Sequence, residues 1–230
     1  MLSVGYLGST DELEIEVHTC TKCHTTFPNL VRFPPVYSFG DPAGKEIMVV
    51  GLNPGSKEFD GYLSVSSDLN ERRRSQLSYF ERVSYSYFEN LSWFFGGGVE
   101  YRNLVLKTKI GWERNPYDRI GVLDIVKCAT KNGEGGQWTK LKRSNRSKII
   151  KNCEGYLEEQ LLKYRPKIII PYGADVRDWF KQYTGPLEDF GAFSGLMEGY
   201  SFKGVAIPQR QGPHSRPEVI WVQQRLLEIL

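Results

Sequence analysis

The alternation of short apolar runs with longer helical stretches is the feature that most restricts the fold of this chain. Four apolar runs have the length and continuity of buried parallel strands, at residues 46–51, 121–127, 166–172 and 204–208. Amphipathic or aromatic-rich segments typical of helices lie between or after them, at residues 71–95, 147–164 and 217–230. This order predicts an α/β fold, a three-layer α/β/α sandwich around a central, mainly parallel sheet of four strands.

Length and charge limit the number of domains and the class of partner. A chain of 230 residues, 40% of them hydrophobic, can fill one large core without disulfides, so we expect a single domain over residues 1–230. Its net charge of +3 permits a nucleic-acid partner without requiring one. Residues 139–151 hold six cations and no acid, which fits either a phosphate-facing loop or a solvated helix start.

The cysteines indicate metal chemistry. The N-terminus has no signal-peptide pattern and no apolar run reaches about 18 residues, so we expect a cytoplasmic protein without a membrane span. In that reducing compartment, ligation of a metal or cluster is favoured over disulfides for the four cysteines, Cys20, Cys23, Cys128 and Cys153. Four unrelated buried thiols are the alternative, which the close spacing of the first two weakens.

Polar side chains follow the first and the last predicted strands. In doubly wound sheets, ligands bind beyond the carboxyl ends of the strands. The Gly-Leu-Asn-Pro-Gly turn at residues 51–55 holds Asn53 at this rim, although a plain turn before a helix explains the same pattern. His214 follows the last strand beside Ser215 and Arg216, a polar and cationic setting that suits an anionic ligand. We expect His214 to lie opposite Asn53, and a surface histidine is the alternative.

The order of these pieces resembles the uracil-DNA glycosylase superfamily, most closely its iron-sulfur branch. In that branch a C-x-x-C pair precedes a Gly-x-x-Pro-Gly turn, a strand ending in Lys-Cys, and a further cysteine that opens a helix before a Lys-Tyr-Arg-Pro-Lys-like strand entry. The matching pieces of this chain are Cys20 with Cys23, residues 51–55, residues 125–128, residues 153–157 and residues 163–170. The resemblance covers most of the chain from Cys20 onward.

The resemblance implies an enzyme that hydrolyses the N-glycosidic bond of a flipped, deaminated base in DNA. Asn53 matches the water-orienting Asn of the mismatch-specific and single-strand-selective branches, whose turn also reads Gly-x-Asn-Pro-Gly. His214 matches the histidine that donates a hydrogen bond to the departing base. Ser215 and Arg216 would contact DNA, with Arg216 filling the vacated gap or gripping a phosphate, and a simple helix-leading arginine is the alternative.

The same comparison implies a base pocket, with two departures from the family pattern. Gly51 and Leu52 would line the pocket, and Phe59 or Tyr62 would stack on the base. Asp124 occupies the position of an Asn that reads uracil, and an ionised Asp accepts hydrogen bonds but cannot donate them. We therefore expect altered base specificity, unless burial raises the pKa of Asp124 enough to keep it protonated. Leu52 replaces a Glu of the iron-sulfur branch.

By the same resemblance, the four cysteines bind a [4Fe-4S] cluster, with zinc as the alternative occupant. The cluster would be structural and would fasten an N-terminal arm at about residues 15–35. The expected partner is DNA with a damaged base, and we expect a monomer that needs no membrane. A catalytically inactive protein of the same fold that binds damaged or single-stranded DNA is the alternative function.

Overall fold

The computed structural model describes residues 11–32, 34–54, 59, 62–82, 91, 93–95, 120–130, 138–209 and 214–229. The chain forms two compact units, each assembled from three stretches that are distant in sequence. The first unit contains Met1–Asp41, Asn53–Arg82 and Asp124–Leu161, and the second contains Pro42–Leu52, Val83–Leu123 and Leu162–Leu230.

In the described residues, a five-stranded sheet forms the centre of the second unit, with only its residue Asp124 belonging to the first. The strands are β1 (Ile47–Gly51), β2 (Ile120–Asp124), β3 (Ile168–Pro171), β4 (Ala192–Met197) and β5 (Tyr200–Val205), in the spatial order β2-β1-β3-β5-β4. Parallel pairing joins β1 to β3 and β3 to β5, whereas β4 is antiparallel to β5. The predicted α/β fold with a central, mainly parallel sheet is confirmed.

The predicted number of four strands was wrong, because the sequence analysis did not predict β4, the fifth described strand. Its residues alternate in exposure along an edge of the sheet, so it lacks the continuous apolar run of a strand buried on both faces. A two-residue turn, Glu198 and Gly199 with φ angles of 45° and 80°, connects it to β5. The β5 strand also begins at Tyr200, four residues earlier than predicted, since its first residues alternate as well.

Helices form a large part of the first unit and pack on strands of the second. The helices of the first unit are α1 (Glu12–Thr19), α2 (Lys22–Thr26), α3 (Leu69–Leu77), α4 (Tyr79–Arg82) and α5 (Arg143–Tyr164). The last three residues of α5 belong to the second unit. In the second unit, α6 (Ala174–Thr184) contacts β3 and β4, and α7 (Arg216–Ile229) contacts β5. The helical segment predicted over residues 71–95 corresponds in part to α3 and α4, and its residues 83–90 and 92 lie outside the described residues.

The long helix α5 carries one buried stripe that explains how it holds Cys153. Ile149, Cys153, Leu157 and Leu161 recur every four residues and are all buried. This spacing places them on one face of the helix, and Gln160 is buried beside them. The sequence of the helix therefore directs the thiol of Cys153 into the interior of the first unit.

Candidate active site

The turn after β1 holds Asn53. Gly51 ends the strand and is buried, whereas Leu52 and Asn53 are half-buried. The Asn53 Nδ2 atom donates a hydrogen bond of 3.0 Å to the backbone oxygen of Pro54, which secures the amide against its own turn. The amide oxygen is then the end of this side chain that can accept a hydrogen bond from water. Gly55, the last residue of the predicted turn, lies outside the described residues.

The two candidate stacking residues differ in their surroundings. The half-buried Tyr62 makes an edge-to-face contact with Tyr79, with ring centroids 6.3 Å apart. Tyr79 is fully buried and packs edge-to-face on Phe39 at 4.9 Å. Phe59 is also half-buried, but its neighbours on both sides lie outside the described residues. Tyr62 is thus anchored on a buried aromatic group, which is a property expected of a stacking platform.

Asp124 ends β2 next to a buried polar network. Its side chain is almost completely enclosed, and Lys127 is 1% exposed. The Lys127 Nζ atom donates to the backbone oxygen of Asp124 at 2.6 Å and to the Oε1 atom of Gln160. Gln160 in turn donates through Nε2 to the backbone oxygen of Tyr37 at 2.9 Å. Each buried donor in this chain of bonds therefore has an acceptor, as buried polar groups require.

Burial sets the protonation state of the same two residues. Burial raises the pKa of Asp124 to about 7, although the charge of Lys127 acts in the opposite direction. Burial also lowers the pKa of Lys127 to about 8, and the charge of Asp124 opposes this change. Near neutral pH the Asp124 carboxyl therefore exists in both forms, so it can donate or accept a hydrogen bond. The sequence analysis named this exception to a purely accepting Asp124.

His214 is enclosed by three aromatic rings of the second unit. Its side chain is 1% exposed, and its ring lies 4.7 Å from that of Phe94, 6.3 Å from Phe190 and 6.4 Å from Tyr172. Since Tyr172 directly follows β3, the histidine lies near the carboxyl end of that strand. The predicted position opposite Asn53 stays a prediction.

Glu218 is a residue of this region that the sequence analysis missed. Its Oε2 atom accepts hydrogen bonds from the backbone N–H of Ser215 at 2.8 Å and from the Ser215 hydroxyl at 3.0 Å, and it lies 3.7 Å from Nδ1 of His214. The Ser-x-x-Glu spacing of residues 215–218 is the capping-box signature, so the signal was present in the sequence. Arg216 is exposed at the first residue of α7.

Three of the four cysteines converge inside the first unit. Cys23 on α2, Cys128 after β2 and Cys153 on α5 are buried, Cys20 is half-buried, and all four are free of disulfides. The Sγ atoms of Cys23 and Cys153 lie 3.9 Å apart. Hydrogen bonds from the thiols of Cys128 and Cys153 lower the pKa of Cys23, whereas these bonds and burial raise the pKa of the two donors.

Further donors point at these sulfur atoms. The Nδ2 atom of Asn152 lies 3.6 Å from the Sγ of Cys23, and the backbone N–H of Lys127 hydrogen-bonds to Cys153. Such bonds stabilise thiolates, which are the form that binds iron or zinc. Across the part of the chain that the structure describes, no three His, Cys, Asp or Glu side chains are arranged as ligands of a metal ion.

Comparison with known families identifies the fold. Residues 37–210 match the family model of the Uracil DNA glycosylase superfamily, which is well over half of the chain. The chain belongs to the uracil-DNA glycosylase superfamily. The matched segment includes Asn53, Asp124, Cys128 and Cys153, among other candidate site residues. A search among curated proteins found no match.

Members of the uracil-DNA glycosylase superfamily act on DNA, and the side chains of this chain suit that substrate. The Asn53 amide can hold a water, the Asp124 carboxyl can bond to the edge of a base, and the imidazole of His214 can donate to a departing base. Cys20, Cys23 and His214 lie outside the segment that matches the superfamily. Among the described helices, none is long and apolar enough to cross a membrane.

Proposed function

We propose that this member of the uracil-DNA glycosylase superfamily is a DNA glycosylase that removes a deaminated base and leaves an abasic site. The observation that carries the proposal is that His214, a hydrogen-bonding side chain, lies near the carboxyl end of the parallel strand β3. Along the chain, Asn53 follows β1 and Asp124 ends β2. Ligands of open α/β sheets bind at this end of the strands.

The proposed reaction is a hydrolysis. The bond between the base nitrogen and C1′ of the sugar breaks, the oxygen of a water molecule bonds to C1′, and a proton from that water ends on the departing base. The Asn53 amide oxygen holds the water, since the amide nitrogen already bonds to Pro54. An amide is too weak a base to remove the proton, so stabilisation of charge by His214 is the larger effect.

The proposed base pocket combines stacking with recognition of the base edge. A base must leave the duplex stack before it can react, at a cost of a few kcal/mol that stacking and edge hydrogen bonds offset. Tyr62 is the preferred stacking residue over Phe59 because it is anchored on the buried Tyr79. Gly51 and Leu52 contribute the turn that lines the pocket. Asp124 forms hydrogen bonds to the base edge. It donates one in its protonated form, when the base offers a carbonyl oxygen.

A [4Fe-4S] cluster on Cys20, Cys23, Cys128 and Cys153 is part of the proposal and assigns the chain to the iron-sulfur branch. The donor set fits such a cluster, because four free thiols lie in one unit, three of them are buried, and N–H groups are directed at two of the sulfur atoms. When bound, the cluster supplies a structural cross-link between distant segments rather than a chemical step. Zinc is the alternative occupant.

The chain's own residues already fasten the N-terminal arm that carries the first two cysteines. The buried Arg72 on α3 donates through Nη1 to the backbone oxygen of His18, at 2.8 Å, and Arg73 bonds to Glu14 at 3.1 Å. Both contacts attach α1 to α3 just before Cys20. A cluster on Cys20 and Cys23 would attach the same arm at a further point along the chain.

Contacts with the DNA backbone are proposed for two exposed regions. Ser215 and Arg216 are exposed at the start of α7, and the basic residues at the start of α5 are mostly exposed. Lysine and arginine side chains in such positions neutralise phosphates, so binding should weaken steeply as salt is added.

The experiment is incubation of the anaerobically purified protein with oligonucleotides that each contain one deaminated base, followed by alkaline cleavage of abasic sites. We expect cleavage at uracil or a related base, loss of cleavage in Asn53→Ala and His214→Ala, and full cleavage in the control Asn70→Ala, whose residue is exposed on α3. DNA binding without cleavage of any substrate would replace this proposal with the binding-only function.

A further inference from the structure

The carboxylate of Glu218 is held in one place by the start of α7. Its Oε2 atom accepts two hydrogen bonds from Ser215, one from the backbone and one from the hydroxyl. The backbone oxygen of Ser215 accepts the first helical bond, from Val219 at 3.1 Å, so Ser215 occupies the capping position. A carboxylate fixed by one backbone and one hydroxyl bond at the start of a helix has little freedom to leave the neighbouring imidazole.

His214 precedes this capping box, and its ring is fixed as well. The ring is packed against Phe94 at 4.7 Å, with its Nδ1 edge 3.7 Å from Oε2 of Glu218. With both groups buried or partly buried, their interaction is weakly screened by solvent. The nitrogen that faces a carboxylate is the nitrogen that carries a hydrogen in most histidine pairs, because a carboxylate only accepts.

The aromatic rings described around His214 and the neighbouring Arg216 do not supply this effect. Burial raises the pKa of Tyr172 to about 12, so its phenol is neutral at working pH. Phe94 and Phe190 carry no charge. Arg216 is a cation two residues along the chain, and the positive end of α7 also disfavours a second proton on the ring. Glu218 is an acidic group that faces the imidazole at 3.7 Å, and its charge favours protonation of the ring.

We propose that Glu218 is the positioning residue of His214: its carboxylate keeps a hydrogen on Nδ1, so that Nε2 is the nitrogen that acts on the departing base. This inference rests on the proposed glycosylase function. It has a defined chemical consequence. Because Nδ1 already carries one hydrogen, Nε2 donates a hydrogen bond only when the ring holds a second proton, and the charged ring is then the stronger donor to an anionic base.

The variant Glu218→Gln separates this role from the role of the residue in folding. Glutamine also closes a capping box, so the start of α7 is retained while the negative charge is lost. The matched control is Glu228→Gln, an exposed residue near the other end of the same helix, where Glu228 pairs with Arg225 at 2.7 Å. Circular dichroism is the check that both variants fold as the wild type does.

The first readout is nitrogen-15 NMR of the His214 ring across a pH series, which needs no catalytic activity. We expect the proton of the neutral ring on Nδ1 in the wild type and in Glu228→Gln. In Glu218→Gln the midpoint of His214 titration should fall by about one pH unit, since an opposite charge near a histidine typically shifts it by that much or more. An unchanged midpoint, or a wild-type neutral ring protonated on Nε2, would overturn the proposal.

The second readout is single-turnover base excision against pH. We expect excision by the wild type to decline as pH rises through the His214 midpoint, and the decline in Glu218→Gln to begin about one pH unit lower. Coincident pH profiles of wild type and Glu218→Gln would also overturn the proposal. If no substrate is excised at all, the glycosylase function fails, whereas the NMR result still decides whether Glu218 directs the His214 proton.

Discussion

The ammonium group of Lys127 donates a hydrogen bond of 2.6 Å to the backbone oxygen of Asp124, three residues earlier in the chain. This bond draws a buried cation to the end of β2, where the candidate base-reading carboxyl is located. The cation alone would keep that carboxyl ionised, but burial outweighs it and raises the pKa of Asp124 to about 7. Several properties of the protein should depend on this network.

Base preference should change with pH through Asp124. As pH falls through about 7, more of the carboxyl is protonated and can donate, so excision of uracil should rise relative to a damaged base with an exocyclic amino group. Asp124→Asn should favour uracil at every pH, because its amide always donates. The ratio of the two single-turnover rates from pH 6 to 8 measures this, since effects common to both substrates cancel.

Asp178→Asn is the control for that experiment, because Asp178 is an exposed residue of α6 that pairs with Lys181. It should retain the wild-type change of the ratio with pH. A wild-type ratio that does not vary with pH would remove Asp124 from base recognition.

Gln160 should matter for stability because it satisfies the buried ammonium of Lys127. Gln160→Leu should lower the free energy of unfolding by about 3 kcal/mol, since a buried charged donor then loses an acceptor. Gln160→Glu should cost less, because a carboxylate accepts from the same ammonium. Urea denaturation at pH 7 compares them. In the control Gln182→Leu, at an exposed position of α6, the change should stay within about 0.5 kcal/mol. Equal losses for the two Gln160 variants would contradict the argument.

Phe190 should prefer glycine over alanine as a replacement. Its φ angle is 59°, in the left-handed region, and its ring packs against His214 and Trp221. Both replacements lose the ring, but only alanine retains the backbone strain, so Phe190→Gly should be more stable than Phe190→Ala by about 1 kcal/mol.

Urea denaturation again provides the measurement, with Phe202 of β5 as the comparison. At that extended position glycine should be the less stable replacement, because a glycine weakens a strand. If glycine is also the worse replacement at Phe190, the left-handed conformation is not a source of strain there.

The cysteines should retain iron and sulfide in equal amounts when the protein is purified without oxygen. Cys153→Ser should lose most of both, because Cys153 lies 3.9 Å from Cys23 at the point where the buried thiols converge. Ser147→Ala, an exposed change on the same helix, should retain both. Metal and sulfide analysis is the measurement, and stoichiometric zinc in place of iron would assign the site to zinc.

Arg72 should fasten α1 to α3. Arg72→Met removes the 2.8 Å hydrogen bond to the backbone oxygen of His18, a charge-assisted bond typically worth about 1.5–3 kcal/mol. Amide hydrogen exchange in α1 should therefore become faster by more than tenfold. Arg74→Met, at an exposed position of the same helix, should leave the exchange rates of α1 unchanged. Equal protection in both variants would show that other contacts hold the arm.

Much of the fold could be read from local patterns. The strands β1 and β3 are continuous apolar runs, and the stripe that includes Cys153 and Leu157 repeats at the helical period. In these elements the buried positions can therefore be predicted from the residues next to them in the chain. The edge strand β4 could not be read in this way. One side of β4 is exposed, so its composition does not mark it as a strand. It is a strand because its backbone pairs with β5, and that pairing is visible only in the structure.

The sequence by itself determined the superfamily and the mainly parallel sheet, and it predicted the candidate site residues: Asn53, Asp124, His214 and the four cysteines. Only the tertiary structure decided how deeply these side chains are buried and which groups surround them. The pKa of Asp124 depends on burial. The contact between Glu218 and His214 depends on how the first turn of α7 packs against the aromatic rings around the histidine. The physical reason is that periodicity along a chain reports which face of an element is buried, whereas electrostatics depends on atoms brought within a few ångströms from distant parts of the chain.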